Sequence, residues 1–217
     1  MRIRDIYLRK GNFYVSLVMA AICVVVTIVS FVFPDTYNIF ASTYPIQYPW
    51  QIVSGMFLHG DPTLTAAVSI GHLIFNLLLV LSFGLMTEKI LGSKKFALLT
   101  IGLWLVYIAT FYIIAVITTP EGEKAYGAGI SGVAFAYGIM GLYSLFLLAK
   151  KNLKLMFKQV SFYLLMNNII AMLVMVNPFV AGVSSMIVHI VAIIAGTIGI
   201  IIFRKTINSF FTSENAL

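Results

Sequence analysis

Residues 127–148 read GAGISGVAFAYGIMGLYSLFLL, in which a glycine-rich turn is followed by an uncharged apolar run that begins at Ser131. Such a run predicts a membrane-spanning helix, because a hydrocarbon core about 30 Å thick needs about 20 mostly apolar residues and offers the backbone no hydrogen-bond partners. With five similar runs, the chain is predicted to be an all-α polytopic membrane protein, a single domain over residues 1–217 with six transmembrane helices. The predicted spans are 14–33, 69–86, 96–117, 131–148, 157–176 and 185–203.

The composition supports the same class. Of the 217 residues, 61% are hydrophobic and 10% are charged, and the mean hydropathy is +1.02. Soluble domains are roughly 45–50% apolar and about 25% charged. The first apolar run follows a basic start, as in a secretory signal, but it is too long for one and no small-residue cleavage site follows. We therefore interpret it as a retained helix.

The net charge of +7 reflects membrane topology rather than a nucleic-acid partner. Basic residues fall at alternate ends of the predicted spans, and only Lys124 lies on the other side. Since short cytoplasmic loops are enriched in Lys and Arg, both termini are predicted to be cytoplasmic, with loops 35–68, 118–130 and 177–184 outside. This pattern and the short loops are compatible with a multi-pass protein of a bacterial plasma membrane. The basic positions are 2, 4, 9, 10, 89, 94, 95, 150, 151, 154, 158, 204 and 205.

The connection 35–68 is the one long loop. It is rich in aromatic and aliphatic residues, Tyr48 and Trp50 among them. Tyr and Trp rings favour the membrane interface, so we expect this loop to lie in the outer interface rather than in water.

Three spans carry polar residues at their outer ends. His72 is the fourth residue of the second span, Ser131 the first of the fourth and His189 the fifth of the sixth. At about 1.5 Å rise per residue the three lie within a few ångströms of one depth. Their convergence indicates an active site within the bilayer, close to its outer side.

The chemistry of these residues is that of a serine hydrolase. Ser131 begins a helix, where free backbone N–H groups and the macrodipole suit an oxyanion. His72 and Asn76 share one helical face and can both donate hydrogen bonds, each worth roughly 2.7–4 kcal/mol in a transition state. A neutral His189 can accept the serine proton. The glycines around Ser131 let the chain turn sharply and a substrate approach closely; they are Gly127, Gly129 and Gly132.

The acidic residues limit the alternatives. Asp and Glu occur only at 5, 35, 61, 88, 121, 123 and 214, none of them in the middle of a span. A third, buried carboxylate is therefore not expected, and a Ser131–His189 dyad remains. The same distribution excludes a membrane aspartyl protease, and the chain has no His-Glu-x-x-His motif for zinc. No metal or organic cofactor is implied.

Five motifs in this order resemble those of rhomboid intramembrane serine proteases. They are Trp50-Gln51 with Phe57-Leu58-His59, His72-Leu-Ile-Phe-Asn76, Glu88-Lys-Ile-Leu-Gly92, Gly129-x-Ser131-Gly132, and His189 with Gly196. The resemblance covers about residues 48–203. It implies a rhomboid-like bundle whose first loop is embedded in the membrane and whose fifth helix is a lateral gate for transmembrane protein substrates.

The resemblance also assigns roles. Ser131 is expected to be the nucleophile and His189 the base, with His72, Asn76 and the Ser131 N–H as the oxyanion hole. Phe135 stands where many rhomboids have a tyrosine under the histidine, so a ring can pack there without its hydroxyl. Gln51 replaces an arginine and Ala192 a glycine, departures expected to loosen the first loop and the contact between helices four and six. Small residues in those two helices are expected to pack closely and bring Ser131 and His189 within hydrogen-bond reach; they are Gly138, Gly141, Gly196 and Gly199.

Structural alternatives remain at each position. A membrane serine can bond back to its own helix, His189 can be a packed polar group, and His72 with Asn76 can be a clamp between helices. At the level of function, the chain can be an intramembrane serine endopeptidase, an inactive rhomboid-like protein that binds membrane clients, or a small transporter. Retention of both Ser131 and His189 favours the protease. A transporter is expected to have broken helices in two related halves, and the sequence has neither.

Overall fold

Long apolar helices dominate the computed structural model, which describes residues 13–59, 65–151, 153, 162–177, 179 and 182–212. Two short strands, β1 (Ser42–Tyr44) and β2 (Ala125–Gly127), form an antiparallel pair. Helix α4 is continuous but has a π-helical segment at Val80–Gly84. The helices are α1 (Tyr14–Val32), α2 (Thr36–Phe40), α3 (Gln51–Ser54), α4 (Ala66–Leu91), α5 (Ser93–Thr118), α6 (Ser131–Lys151), α7 (Phe162–Val176) and α8 (Val183–Thr212).

Within the described residues, five helices are long and apolar enough to span a membrane, namely α1, α4, α5, α6 and α8. This confirms the prediction of a polytopic all-α membrane protein. Helix α7 is apolar but has only 15 described residues. Positions 157–161 of the predicted fifth span lie outside the described residues, as do the basic positions 2, 4, 9, 10, 154 and 158.

Two helices extend further than their uncharged runs. The predicted span 185–203 ends before Arg204 and Lys205, yet α8 continues through both to Thr212. The predicted span 69–86 ends before Glu88, yet α4 continues to Leu91. A charge marks the edge of the hydrocarbon, whereas helical hydrogen bonds continue in water or wherever the charge has partners.

Glu88 has such partners, because its carboxylate caps the first helix. It is fully buried and accepts hydrogen bonds from the backbone N–H groups of Val15 (3.1 Å) and Ser16 (2.9 Å). The hydroxyls of Ser16 (2.8 Å) and Ser93 (2.5 Å) donate to the same carboxylate. An acid at a helix N-terminus satisfies N–H groups that have no intrahelical partner. Glu88 thereby fastens α1 to the turn between α4 and α5.

Helix α6 is the centre of the bundle. Two-thirds of the residues in its most apolar segment are buried inside the protein, against a third or less in the other four candidate spans. Its small residues admit neighbouring side chains: a Cβ at Gly138 would meet Met172 Sδ of α7 at 2.7 Å, and one at Gly141 would overlap the Phe83 ring of α4. These two glycines pack against α7 and α4, so neither sets the distance between α6 and α8.

The close contact between α6 and α8 is made at Gly196. A Cβ there would lie 2.8 Å from both Cα and the carbonyl oxygen of Ala136. Backbone against backbone leaves no side chain that could move aside. Gly199 is less tight, with Met140 Sδ 3.3 Å from its ideal Cβ position. The sequence prediction of close packing therefore applies to α8 at Gly196.

The first loop is ordered by a buried glutamine. Gln51 Oε1 accepts hydrogen bonds from the Thr43 hydroxyl (2.6 Å) and from the backbone N–H groups of Gln47 (3.2 Å) and Tyr48 (3.1 Å). Its Nε2 donates to the carbonyl of Asn38 at 2.9 Å. Gln51 is fully buried, and with these bonds it holds the first loop instead of loosening it.

The strand pair connects this loop to the segment that precedes α6. Ser42 pairs with Gly127, and Tyr44 pairs with Ala125. Gly55, at the end of α3, lies so close to Ser42 that a Cβ would overlap the Ser42 hydroxyl. The first loop therefore fixes the chain immediately before Ser131.

Candidate active site

Ser131 is the first residue of α6 and is 5% exposed. The turn before it requires glycine, because Gly129 has φ +102°, where other residues are strained. The Gly129 N–H donates to the carbonyl of Gly55 at 2.9 Å, which attaches the turn to the first loop. Helical bonding begins with the N–H of Ala134, which donates to Ile130 at 2.9 Å. The N–H groups of residues 131–133 come before this first bond, in the positions where a helix N-terminus can bind an anion.

His72 lies directly against Gly129. An ideal Cβ on Gly129 would be 2.8 Å from Cε1 and 3.3 Å from Nε2 of the His72 ring. The second span and the loop before Ser131 thus meet as the sequence predicts. The residue of closest approach must be glycine for both its φ and the space.

His59 is a third histidine at the site. Its Nδ1 is 3.2 Å from the carbonyl of Phe57, and its Nε2 accepts from the N–H of Ile130 at 3.5 Å. The His59 ring stands edge-on to the His72 ring, with centroids 5.1 Å apart. Burial, reinforced by repulsion from His72, lowers the pKa of His59 to about 3. The ring is therefore neutral at physiological pH and holds the residue that precedes Ser131.

Asn76 is fully buried one turn after His72. Its Nδ2 donates to the His72 carbonyl at 3.0 Å, within its own helix. Its Oδ1 is buried and has no hydrogen-bond partner among the described residues. The amide steadies the turn that carries His72, and the hydrogen bond described for it runs along α4 rather than toward Ser131.

His189 is held on two sides. Its ring stacks on Phe135, with centroids 4.4 Å apart and the planes 15° from parallel. Its Nδ1 is 2.8 Å from the carbonyl oxygen of Met175. Its Nε2 is buried and has no hydrogen-bond partner in the described part of the chain.

The expected hydrogen bond between Ser131 and His189 is not formed, since His189 Nε2 has no partner among the described residues, but both residues lie on one side of α6. Phe135 is four residues after Ser131 and on the same face of α6, so the His189 ring lies along the face that begins with Ser131. Behind that face, a Cβ on Gly132 would overlap the ring of Tyr107.

Over the described ranges, no three His, Cys, Asp or Glu side chains are grouped so as to hold a metal ion.

Two contributors were not identified from the sequence. His59 was named from the sequence only as part of the Phe57-Leu58-His59 motif, and that motif was the one signal that it belongs near the site. No feature of the sequence points to the Met175 carbonyl, because every residue type has a backbone carbonyl.

Comparison with known families identifies a matching domain family. The model of the family described as Rhomboid domain matches residues 47–206, which include every candidate site residue named above. No curated protein matches the chain.

Proposed function

The chain belongs to the rhomboid family, and from this premise we propose that it is an intramembrane serine endopeptidase acting on transmembrane protein substrates. Membership in the family supports a protease of this kind. The residues of this chain support one mechanism in particular, a dyad of Ser131 and His189.

The observation that carries the proposal is the state of His189. Its Nδ1 lies against a carbonyl oxygen, which can only accept, so Nδ1 carries the proton and the neutral ring has its lone pair on Nε2. That atom is buried and has no hydrogen-bond partner among the residues that the structure describes. A buried polar atom without a hydrogen bond is costly, and active sites are where such costs are retained.

The reaction follows from these groups. Ser131 Oγ attacks the substrate carbonyl carbon while its proton passes to His189 Nε2. The C–N bond then breaks, and the leaving amine takes the proton from His189. Water then attacks the carbonyl carbon of the acyl-enzyme and gives a proton to His189. The bond from that carbon to Ser131 Oγ breaks, Ser131 Oγ takes the proton back from His189, and the carboxyl product is released.

The tetrahedral oxyanion is to be stabilised by the Ser131 N–H, His72 and Asn76. The contact of His72 with Gly129 supports its part. The hydrogen bond of Asn76 to the His72 carbonyl uses one of its two amide protons and leaves the other for the oxyanion. Each donor of this kind is worth roughly 2.7–4 kcal/mol in the transition state.

The membrane setting is part of the proposal. We assign six spans, with α7 as the fifth in sequence order, and both termini to the cytoplasm of a bacterial plasma membrane. The stacked rings of exposed Tyr48 and Trp50, with centroids 4.7 Å apart, support a first loop lying in the outer interface. The site then lies near the outer side of the membrane, close to water.

A fluorophosphonate probe tests the proposal without a known substrate. Purified wild type is expected to form an adduct on Ser131 that mass spectrometry can locate. Ser131→Ala and His189→Ala are expected to lose it. Ser144→Ala is the matched control, because Ser144 is buried in the same helix and donates to the carbonyl of Met140.

An adduct that persists in His189→Ala would contradict the proposed dyad. Folded wild type that forms no adduct, yet retains membrane proteins without cleaving them, would identify an inactive client-binding relative.

A further inference from the structure

The hydrogen bond between His189 and α7 has a consequence beyond the dyad. We infer that the backbone carbonyl of Met175 is the third member of the site: it positions the imidazole of His189 and makes the end of α7 part of the active site. The inference rests on the proposed function only for its effect on rate. The hydrogen bond and the tautomer can be tested without activity.

The Met175 carbonyl is available because the helix ends there. Helix α7 ends at Val176, so its last four carbonyls have no intrahelical N–H. The Val174 carbonyl accepts from the N–H of Asn177 at 3.2 Å, and the Met175 carbonyl accepts from His189 at 2.8 Å. The negative end of a helix dipole also favours a cation, which is what His189 becomes during each proton transfer.

A carboxylate does not compete for this place. Among the described residues, the only acid in a membrane-spanning helix is Glu88, which is fully occupied by the N-terminus of α1 and by Ser93. In a Ser-His-Asp triad the acid holds the histidine in one tautomer and stabilises the imidazolium. Here a carbonyl oxygen can do the first fully and the second in part, without placing a charge in the membrane.

Two contacts therefore fix the orientation of the His189 ring. Stacking on Phe135 sets the plane of the His189 ring, and the Met175 carbonyl sets its rotation within that plane. Phe135 has no hydroxyl, so the hydrogen bond that fixes Nδ1 comes from α7 alone among the described contacts. Any displacement of the end of α7 would release the imidazole.

Helix α7 is itself attached by a polar contact on the same face. Asn168 is seven residues before Met175, about two turns, and is fully buried. Its Oδ1 accepts from the hydroxyl of Ser82, in the π-helical segment of α4, at 3.1 Å. The opposite face is open, with Leu173 65% exposed. Polar contacts therefore help to fix the position of α7, and one of them is with His189.

An amide-to-ester exchange tests the hydrogen bond. Replacing Val176 by its α-hydroxy analogue turns the Met175 carbonyl into an ester carbonyl, which is a weaker acceptor. The same analogue at Val174 is the matched control, since it also removes one helical N–H but weakens the Leu173 carbonyl. Both chains are studied whole, in detergent, with 15N-labelled histidine; His189→Ala assigns the resonance.

Wild type and the Val174 ester are expected to show His189 with the proton on Nδ1. The Val176 ester is expected to show a mixture of tautomers and a rate of fluorophosphonate labelling at Ser131 lower by roughly three- to tenfold. A proton on Nε2 in wild type overturns the inference without any variant. Equal tautomer and labelling rate in the two esters overturn it as well. A third outcome separates the two proposals. If wild type is not labelled, yet its His189 has the proton on Nδ1 and the Val176 ester loses this preference, the inference is supported and the proposed function is contradicted.

Discussion

At the scale of single residues, the burial of His59 makes the stability of the protein depend on pH. The ring is buried and neutral, its Nε2 accepts from Ile130, and it faces His72. Its pKa is lowered to about 3 in the folded protein, against 6.5 in an unfolded chain. Between these values the unfolded chain binds a proton that the folded protein does not, so stability is present above pH 6.5 and is lost as the pH falls.

We predict that the free energy of unfolding of wild type falls relative to that of His59→Gln as the pH is lowered. Gln can accept from Ile130 but does not titrate. Between pH 7 and pH 5 the difference should amount to about 2 kcal/mol, measured by denaturant titration of the two proteins in one detergent. If the free energy of unfolding changes with pH in the same way in both proteins, His59 binds its proton as readily in the folded protein as in the unfolded chain.

A second prediction concerns Gln51, which stands where the resemblance leads one to expect an arginine. Arginine has no acceptor atom, so Gln51→Arg would leave the Thr43 hydroxyl and the N–H groups of Gln47 and Tyr48 without a partner and bury a charge. Each buried unsatisfied group costs about 1–3 kcal/mol. We expect Gln51→Arg to lose roughly 3 kcal/mol or more of unfolding free energy.

Gln47→Arg is the control for that measurement, because the Gln47 side chain is exposed and its substitution should change stability by less than about 0.5 kcal/mol. A Gln51→Arg protein as stable as wild type would show that the first loop can exchange acceptors for donors. An arginine at position 51 would then be compatible with the structure of this loop.

At the scale of elements, the contact between α6 and α8 decides how near His189 comes to Ser131. Gly196 is seven residues after His189, about two turns along the same face of α8. Its ideal Cβ position is 2.8 Å from the Ala136 backbone, so a side chain there must push the two helices apart.

We predict opposite signs for two glycine-to-alanine substitutions. Gly196→Ala should destabilise by about 1–3 kcal/mol through overpacking and should slow labelling of Ser131. Gly102→Ala, in α5, meets nothing within 4 Å and should stabilise by about 0.4–1 kcal/mol, because alanine restricts the unfolded chain. Unfolding curves and probe labelling of both variants make the comparison, and a stabilising Gly196→Ala would contradict the close contact.

The elements also show where sequence reasoning stops. The charges that bound the predicted spans do not mark the ends of α4 and α8, since Glu88 is buried in hydrogen bonds and Arg204 is exposed beyond the apolar run. The predicted close-packing glycines were real, but Gly138 and Gly141 contact α7 and α4. Spacing along a helix identifies a face, whereas the helix that covers that face is set by the whole bundle.

At the scale of the whole molecule, the distribution of basic residues predicts orientation. The single Cys23 is buried, so introduced cysteines can be labelled over a low background. In intact cells, a membrane-impermeant maleimide should label Glu121→Cys in the loop before β2, and should label Lys94→Cys at the start of α5 only after lysis. The reverse pattern would invert the topology and place the site near the cytoplasmic side.

The sequence by itself determined the class of protein, most of the spans and the set of candidate residues. Hydrophobic length is a local property, and lipid leaves the backbone no alternative to a helix, so the runs could be identified without tertiary information. The order of Trp50, His72, Ser131 and His189 along the chain was sufficient to indicate the family that the domain match then confirmed.

Only the tertiary structure decided what surrounds those residues. The approach of His59 to Ile130, the cap of Glu88 on α1 and the bond from His189 to the Met175 carbonyl join segments that are distant in sequence or use backbone atoms. Such contacts depend on how all helices pack at once, and a carbonyl oxygen is common to every residue type. For that physical reason, residue patterns can nominate a nucleophile and a base, while the groups that orient the base emerge only from the fold.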